Sequence, residues 1–161
     1  MNYCPVCGDN LVKGTVEGRE RLHCSRDKCG YIFWDNPTPV VAGIIEYKDR
    51  IILAHNTSWP NNVYSIITGF LEKGETPEEG IIREVKEELG LIGKIVDFIG
   101  IYAFHEMNQI ILAYYLKAEG EICLGKELTD IKKIEKDKLK GWPFGTGLAV
   151  NDWIIKYRQK D

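Results

Sequence analysis

Residues 69–91 read GFLEKGETPEEGIIREVKEELGL, and no other run constrains the chain as tightly. Its middle carries the marks of a helix with fixed ends. Thr76 stands as N-cap, Pro77 takes the first helical position, and Glu79 completes a capping box. Gly90 follows as the residue that closes the helix. The spacing therefore predicts a helix from Pro77 to Leu89. At about 100° per residue, Ile81, Ile82, Val85 and Leu89 gather on one face, while Glu84, Glu87 and Glu88 gather on another.

Three carboxylates at i, i+3 and i+4 repel one another, at a cost of roughly a few tenths of a kcal/mol per pair. A hard divalent cation reverses that sign. Mg²⁺ and Mn²⁺ take oxygen ligands and are commonly shared between a few carboxylates and a substrate phosphate. The acidic face is read as such a metal site, against the plainer alternative of a solvated surface. Gly69 and Gly74 bracket a loop that must turn sharply to approach the helix and a bound phosphate. Arg83 lies off the apolar face, where it suits a bidentate pair with a carboxylate.

A chain of 161 residues suits one domain, or one domain with a small appendage. Hydrophobic residues make up 44% and charged residues 28%, and the formal net charge is −3, which offers no general attraction to nucleic acid or anionic membrane. No apolar run approaches the ~20 residues of a membrane helix. MNYCPVCG at the start has no signal-peptide character, so a cytoplasmic setting is expected.

Five cysteines are present, four of them in two knuckles: Cys4 with Cys7, and Cys24 with Cys29. A glycine follows each knuckle, and sixteen residues separate the two. This is the spacing of a four-cysteine zinc ribbon, in which Zn²⁺ is structural because four thiolates leave no position for a substrate. Disulfides are the alternative and require an oxidising compartment. Cys123 stands alone in an apolar stretch and is expected in the core.

The ribbon is assigned to residues 1–35 and the main domain to 36–161, with Asp35-Asn36-Pro37-Thr38-Pro39 breaking regular structure between them. Strands are expected at 40–46, 51–54, 64–67, 95–103, 109–117 and 129–134, with a second helix over 148–157. Together these predict an α/β fold with a mixed sheet flanked by helices. Tyr64, Trp59, Phe104 and Trp142 fall in or beside loops where a ring could stack on a base. The lysines from Lys132 to Lys140 are read as a solvated face.

Gly69, Glu75, Arg83, Glu84, Glu87, Glu88 and Gly90, with Val85 and Leu91 at apolar positions, match G-x5-E-x7-R-E-U-x-E-E-x-G-U. This pattern has a chance expectation on the order of one in a million. It resembles the Nudix box, and the chain is similar to Nudix hydrolases. The resemblance implies an α/β/α sandwich and hydrolysis of a diphosphate with Mg²⁺ or Mn²⁺. It places metal ligands at Glu84, Glu87, Glu88 and the Thr68 carbonyl, and pairs Glu75 with Arg83. It also implies a further catalytic glutamate from a loop after the box: Glu127 is the candidate and Glu106 its rival. A zinc ribbon ahead of the box is similar to the NADH and FAD pyrophosphatase branch, which implies a homodimer and a small-molecule nucleotide substrate. Tyr64, Phe104 and Gly69 are then the substrate-contacting candidates. In place of the S-Q-P-W motif of NADH pyrophosphatases stands Ile101-Tyr102-Ala103-Phe104-His105, so FAD or ADP-ribose is as plausible as NADH. A non-catalytic nucleotide sensor, a nucleic-acid-binding module and a hydrolase of capped RNA ends are the competing functions.

Overall fold

The computed structural model describes residues 1–157. Two compact units are present, Met1–Asn36 and Pro37–Asp161. The first is a three-stranded antiparallel sheet of β1 (Leu11–Val16), β2 (Arg19–Cys24) and β3 (Ile32–Phe33). Only Cys4 and Cys24 are fully buried within it. Gly8 (φ 78°) and Gly30 (φ 70°) supply the left-handed residues that end the two knuckles.

The second unit is an α/β fold on a mixed sheet. Its strands are β4 (Thr38–Tyr47), β5 (Arg50–Asn56), β6 (Ile67–Phe70), β7 (Ile92–Phe104), β8 (Gln109–Glu119) and β9 (Leu128–Glu135). They run in the order β7-β8-β4-β5-β9, with β6 also paired to β4. Strand β8 lies parallel to β4, and every other pairing is antiparallel. Helices α1 (Pro77–Leu89) and α2 (Thr146–Tyr157) cover opposite faces. Val41 and Ile45 of β4 pack toward Ile81, Val85 and Leu89, while Val40, Ala42 and Ile44 pack toward Ala149, Val150 and Trp153. That two-sided burial is why β4 reads as an unbroken apolar run rather than an alternating one.

Three local expectations are corrected. Strand β6 begins at Ile67 rather than Tyr64, because the residues before it bridge to β5 through Ser65 and Ala54 instead of joining β4. Ile82 is 40% exposed. The sheet covers only the narrow stripe of Ile81, Val85 and Leu89, and Ile82 is left beside Lys86 in a shallow groove. Cys123 is exposed as well. Its backbone N–H donates to the Leu89 carbonyl at 2.9 Å, which ties the loop after β8 to the helix end and leaves the thiol outside the core.

Candidate functional site

Helix α1 forms with the expected caps. Thr76 Oγ1 accepts from the Glu79 N–H at 3.3 Å, Glu79 Oε2 accepts from the Thr76 N–H at 2.8 Å, and Gly90 closes the end at φ 70°. Arg83 is the hub of the acidic face. Its Nε and Nη2 donate to both oxygens of Glu75, at 3.0 and 2.7 Å. Its Nη1 also reaches Glu84 at 2.7 Å and Glu87 at 3.1 Å, the latter at the i,i+4 spacing that brings side chains on a helix together. Glu75 further accepts from the Glu72 N–H at 2.7 Å. Arg83 and that amide hold the Glu75 carboxyl down at about 2.

Glu88 behaves in the opposite way. It is only 9% exposed, and its carboxyl is pushed up to about 8, first by burial and then by the charges of Glu84, Glu127 and Glu87. Glu84 is raised too: burial, Glu87 and Glu127 outweigh the pull of Arg83. Glu127 thus acts on both residues although it comes from the distant loop between β8 and β9. Among the described residues, the α1 carboxylates form no group of three within the 4.8 Å that encloses the four thiols, although Glu84 and Glu87 share Arg83 Nη1. Their donor set is oxygen throughout, which suits a hard divalent cation and not a soft one.

The proton on Glu88 has a consequence for stability. Its folded value lies above the ordinary 4.5, so between 4.5 and about 8 the folded chain holds a proton that the unfolded chain has released. The stabilisation is full below that window and is lost as pH rises through it. In protein freed of Mg²⁺ and Mn²⁺ with its zinc retained, the melting temperature is expected to fall across this range. Glu88→Gln should flatten the fall, as scanning fluorimetry from about pH 5 to pH 8.5 can read. An unchanged slope in the variant contradicts the assignment.

Gly69 is fixed by contact. A Cβ there would lie 1.9 Å from the Glu84 carboxyl, so no other residue fits without displacing that side chain. Beside it opens a cavity of about 920 Å³. Thr68, Gly69, Glu84, Glu87 and Glu127 line one part of it; Trp59, Tyr64, Phe104, Trp142 and Phe144 line the rest. Glu106 is not among its lining residues. Tyr64 is tied into a network of its own: its hydroxyl donates to Asp130 at 2.5 Å, and Lys132 Nζ sits 3.8 Å from its ring centre. Phe104 and Phe144 have ring centres 6.5 Å apart at an interplanar angle of 35°. Ser65 and Thr146 meet at 2.9 Å in the cavity wall, joining the segment before β6 to the start of α2. Phe144, Ser65 and Thr146 line the cavity without a motif that announces them. The glycines flanking Phe144 and Thr146 were the one signal that this loop approaches something closely.

In the first unit, Cys4, Cys7, Cys24 and Cys29 place their sulfurs within 4.8 Å of one another. Cys4–Cys29 is 3.7 Å and Cys7–Cys24 is 3.4 Å, far beyond a disulfide bond of ~2.05 Å. A tetrahedron with Zn–S bonds of ~2.3 Å has edges of about 3.8 Å, so the thiols stand where zinc would need them.

Comparison with known proteins agrees with this geometry. Residues 36–143 match the NUDIX domain. The ADP-ribose pyrophosphatase of Methanocaldococcus jannaschii is 39% identical over 135 residues, covering 80% of each chain. The NAD-capped RNA hydrolase NudC of Pseudomonas putida is 26% identical over 149 residues, covering 91% of this chain and 52% of its own. The chain thus spans about half the length of the NudC relatives it matches. A NUDIX hydrolase crystal structure from Nitrosomonas europaea aligns over 100% of this chain and 94% of its own, with TM-score 0.84 and 21% identity, a likeness of fold.

Proposed function

The chain belongs to the NUDIX family, and we propose that it is a Mg²⁺- or Mn²⁺-dependent pyrophosphohydrolase that cleaves a nucleoside diphosphate linked to a second group. The cavity carries this reading: carboxylates line one part, and aromatic rings line another. A volume of about 920 Å³ lies near the upper end of ligand pockets and suits a two-ended molecule such as ADP-ribose, NADH or FAD.

Glu84, Glu87 and Glu88, with the Thr68 carbonyl, would hold the cation. When bound, it supplies charge neutralisation at the bridging phosphates and lowers the barrier to attack by water. Arg83 and Glu75 brace the loop before α1 against the helix, so that Gly69 can lie against Glu84. Glu127 serves as the distal carboxylate that takes a proton from the attacking water. Water adds at one phosphorus, the bridging P–O bond breaks, and two phosphomonoesters leave. Phe104 and Phe144 offer ring faces to a base, and Tyr64 forms part of the wall. Most of the rate would come from positioning and charge neutralisation.

Cys4, Cys7, Cys24 and Cys29 are assigned to a structural Zn²⁺, supported by their sulfur spacing. Four unpaired thiols suit a reducing, cytoplasmic setting. A homodimer belongs to the same reading: edge strand β7 exposes Ile92, Val96, Phe98 and Ile101, whereas the opposite edge, β9, carries Asp130, Lys132, Lys133 and Glu135. Capped RNA ends are the second substrate class, favoured by the NudC relatives. A panel of ADP-ribose, NADH, FAD, nucleoside triphosphates and NAD-capped RNA with Mg²⁺ or Mn²⁺, read by chromatography, separates them. Dinucleotides should be cleaved to mononucleotides. Cleavage confined to triphosphates overturns the assignment.

A further inference from the structure

The loop that carries Glu127 is clamped to α1 at a point where only glycine fits. Gly125 donates its N–H to the Glu88 carbonyl at 2.9 Å, and Cys123 donates to the Leu89 carbonyl at 2.9 Å. Both contacts satisfy carbonyls that a helix end leaves without partners. A Cβ on Gly125 would stand 2.4 Å from the Glu87 carbonyl oxygen and 3.2 Å from Glu88 Cα. These neighbours belong to the helix backbone, which cannot swing aside as a side-chain tip could. Beyond Gly125, the Glu127 carbonyl accepts from the Thr57 N–H at 2.8 Å, and Leu128 turns into the core with its N–H on the Gly125 carbonyl at 3.3 Å.

Glu127 itself is exposed. A free surface glutamate samples several rotamers and backbone positions, and holding it beside two other carboxylates costs entropy and Coulomb energy. Here the backbone is pinned on both sides of it, two residues before and one residue after. We propose that Gly125 is a positioning residue for the hydrolysis, fixing the Glu127 backbone against the metal-binding face of α1. This rests on the assignment of Glu127 as the distal carboxylate. Any side chain at position 125 pushes the loop off the helix by about an ångström. Displacements of ~1 Å in a reacting constellation cost up to ~100-fold in rate.

The test is a double-mutant cycle with ADP-ribose and saturating Mg²⁺. Gly125→Ala should lower kcat by about 10–100-fold while KM moves less than about 3-fold. Glu127→Gln should lower kcat at least as far. In the Glu127→Gln background, Gly125→Ala should have no further effect, because the group it positions is already disabled. Lys126→Gly, an exposed change that loosens the same loop, should give a smaller kcat loss that also vanishes in that background. It carries the test if Gly125→Ala does not fold. If the changes at 125 or 126 slow the Glu127→Gln protein by the same factor as the wild type, their effect travels through α1 and the positioning role is overturned. A Glu127→Gln protein of full activity removes Glu127 from the reaction and the role of Gly125 with it.

Discussion

Glu88→Gln and Glu87→Gln are each expected to lower turnover of ADP-ribose under saturating Mg²⁺ by at least ~100-fold, with the fold intact. Glutamine keeps the volume of glutamate but puts a neutral amide in place of the carboxylate that would bind a cation. Glu88 lies under the loop after β8 with its carboxyl pushed up to about 8, so the cation-free protein already holds it largely protonated near neutral pH. Its neutral replacement should therefore fold at least as well without added Mg²⁺ or Mn²⁺. Glu87 is largely exposed and paired with Arg83 at 3.1 Å. Loss of such a surface pair costs about 0–1 kcal/mol. A large fall in kcat without a fall in melting temperature is then a statement about chemistry. Rates within about 2-fold of wild type in both variants would remove these carboxylates from the site.

Cys4→Ser should do the reverse: unfold one unit and spare the reaction. Within Met1–Asn36 the only fully buried side chains are Cys4 and Cys24, so this unit has almost no apolar core to replace a lost metal. Structural zinc contributes ~10–16 kcal/mol to zinc-finger peptides, which is folding free energy in units this small. The variant is expected to lose one equivalent of zinc by elemental analysis and the amide-exchange protection of β1 and β2. Its kcat should change by less than about 3-fold. Full protection of those strands in a zinc-free protein would contradict the assignment.

What could be read in advance divides along local and non-local lines. Helix α1 was legible to the residue because its caps, its glycine stop and its apolar stripe are all written within fifteen positions. Each of the pairs Cys4/Cys7 and Cys24/Cys29 is local in the same sense, although sixteen residues separate the two. The start of β6 was not legible, since Tyr64 to Ile66 is as apolar as the strand itself and only its bridge to β5 separates the two. Ile82 looked like core because periodicity gives the angle of a face, not the width of what covers it. Cys123 looked buried from its neighbours, yet a backbone contact with the end of α1 sets its direction. Arg83 holds Glu87 at the i,i+4 spacing of helical neighbours, whereas its hold on the adjacent Glu84 depends on rotamers that a pattern cannot carry. Phe144 reaches the cavity from the loop before α2 and Thr146 from the first position of that helix, so both depend on the seating of α2 on the sheet.

The central claim is that the carboxylates of α1 gather a divalent cation where water breaks a diphosphate. Phosphorus NMR of ADP-ribose incubated with the protein tests it most directly, before and after addition of Mg²⁺, or of Mn²⁺ that is stripped on chelating resin before the spectrum is taken. The diphosphate resonances should persist in chelator, then give way on addition of the cation to two phosphomonoester resonances in equal amounts. Persistence of the diphosphate with either cation, for ADP-ribose and equally for NADH and FAD, would contradict it.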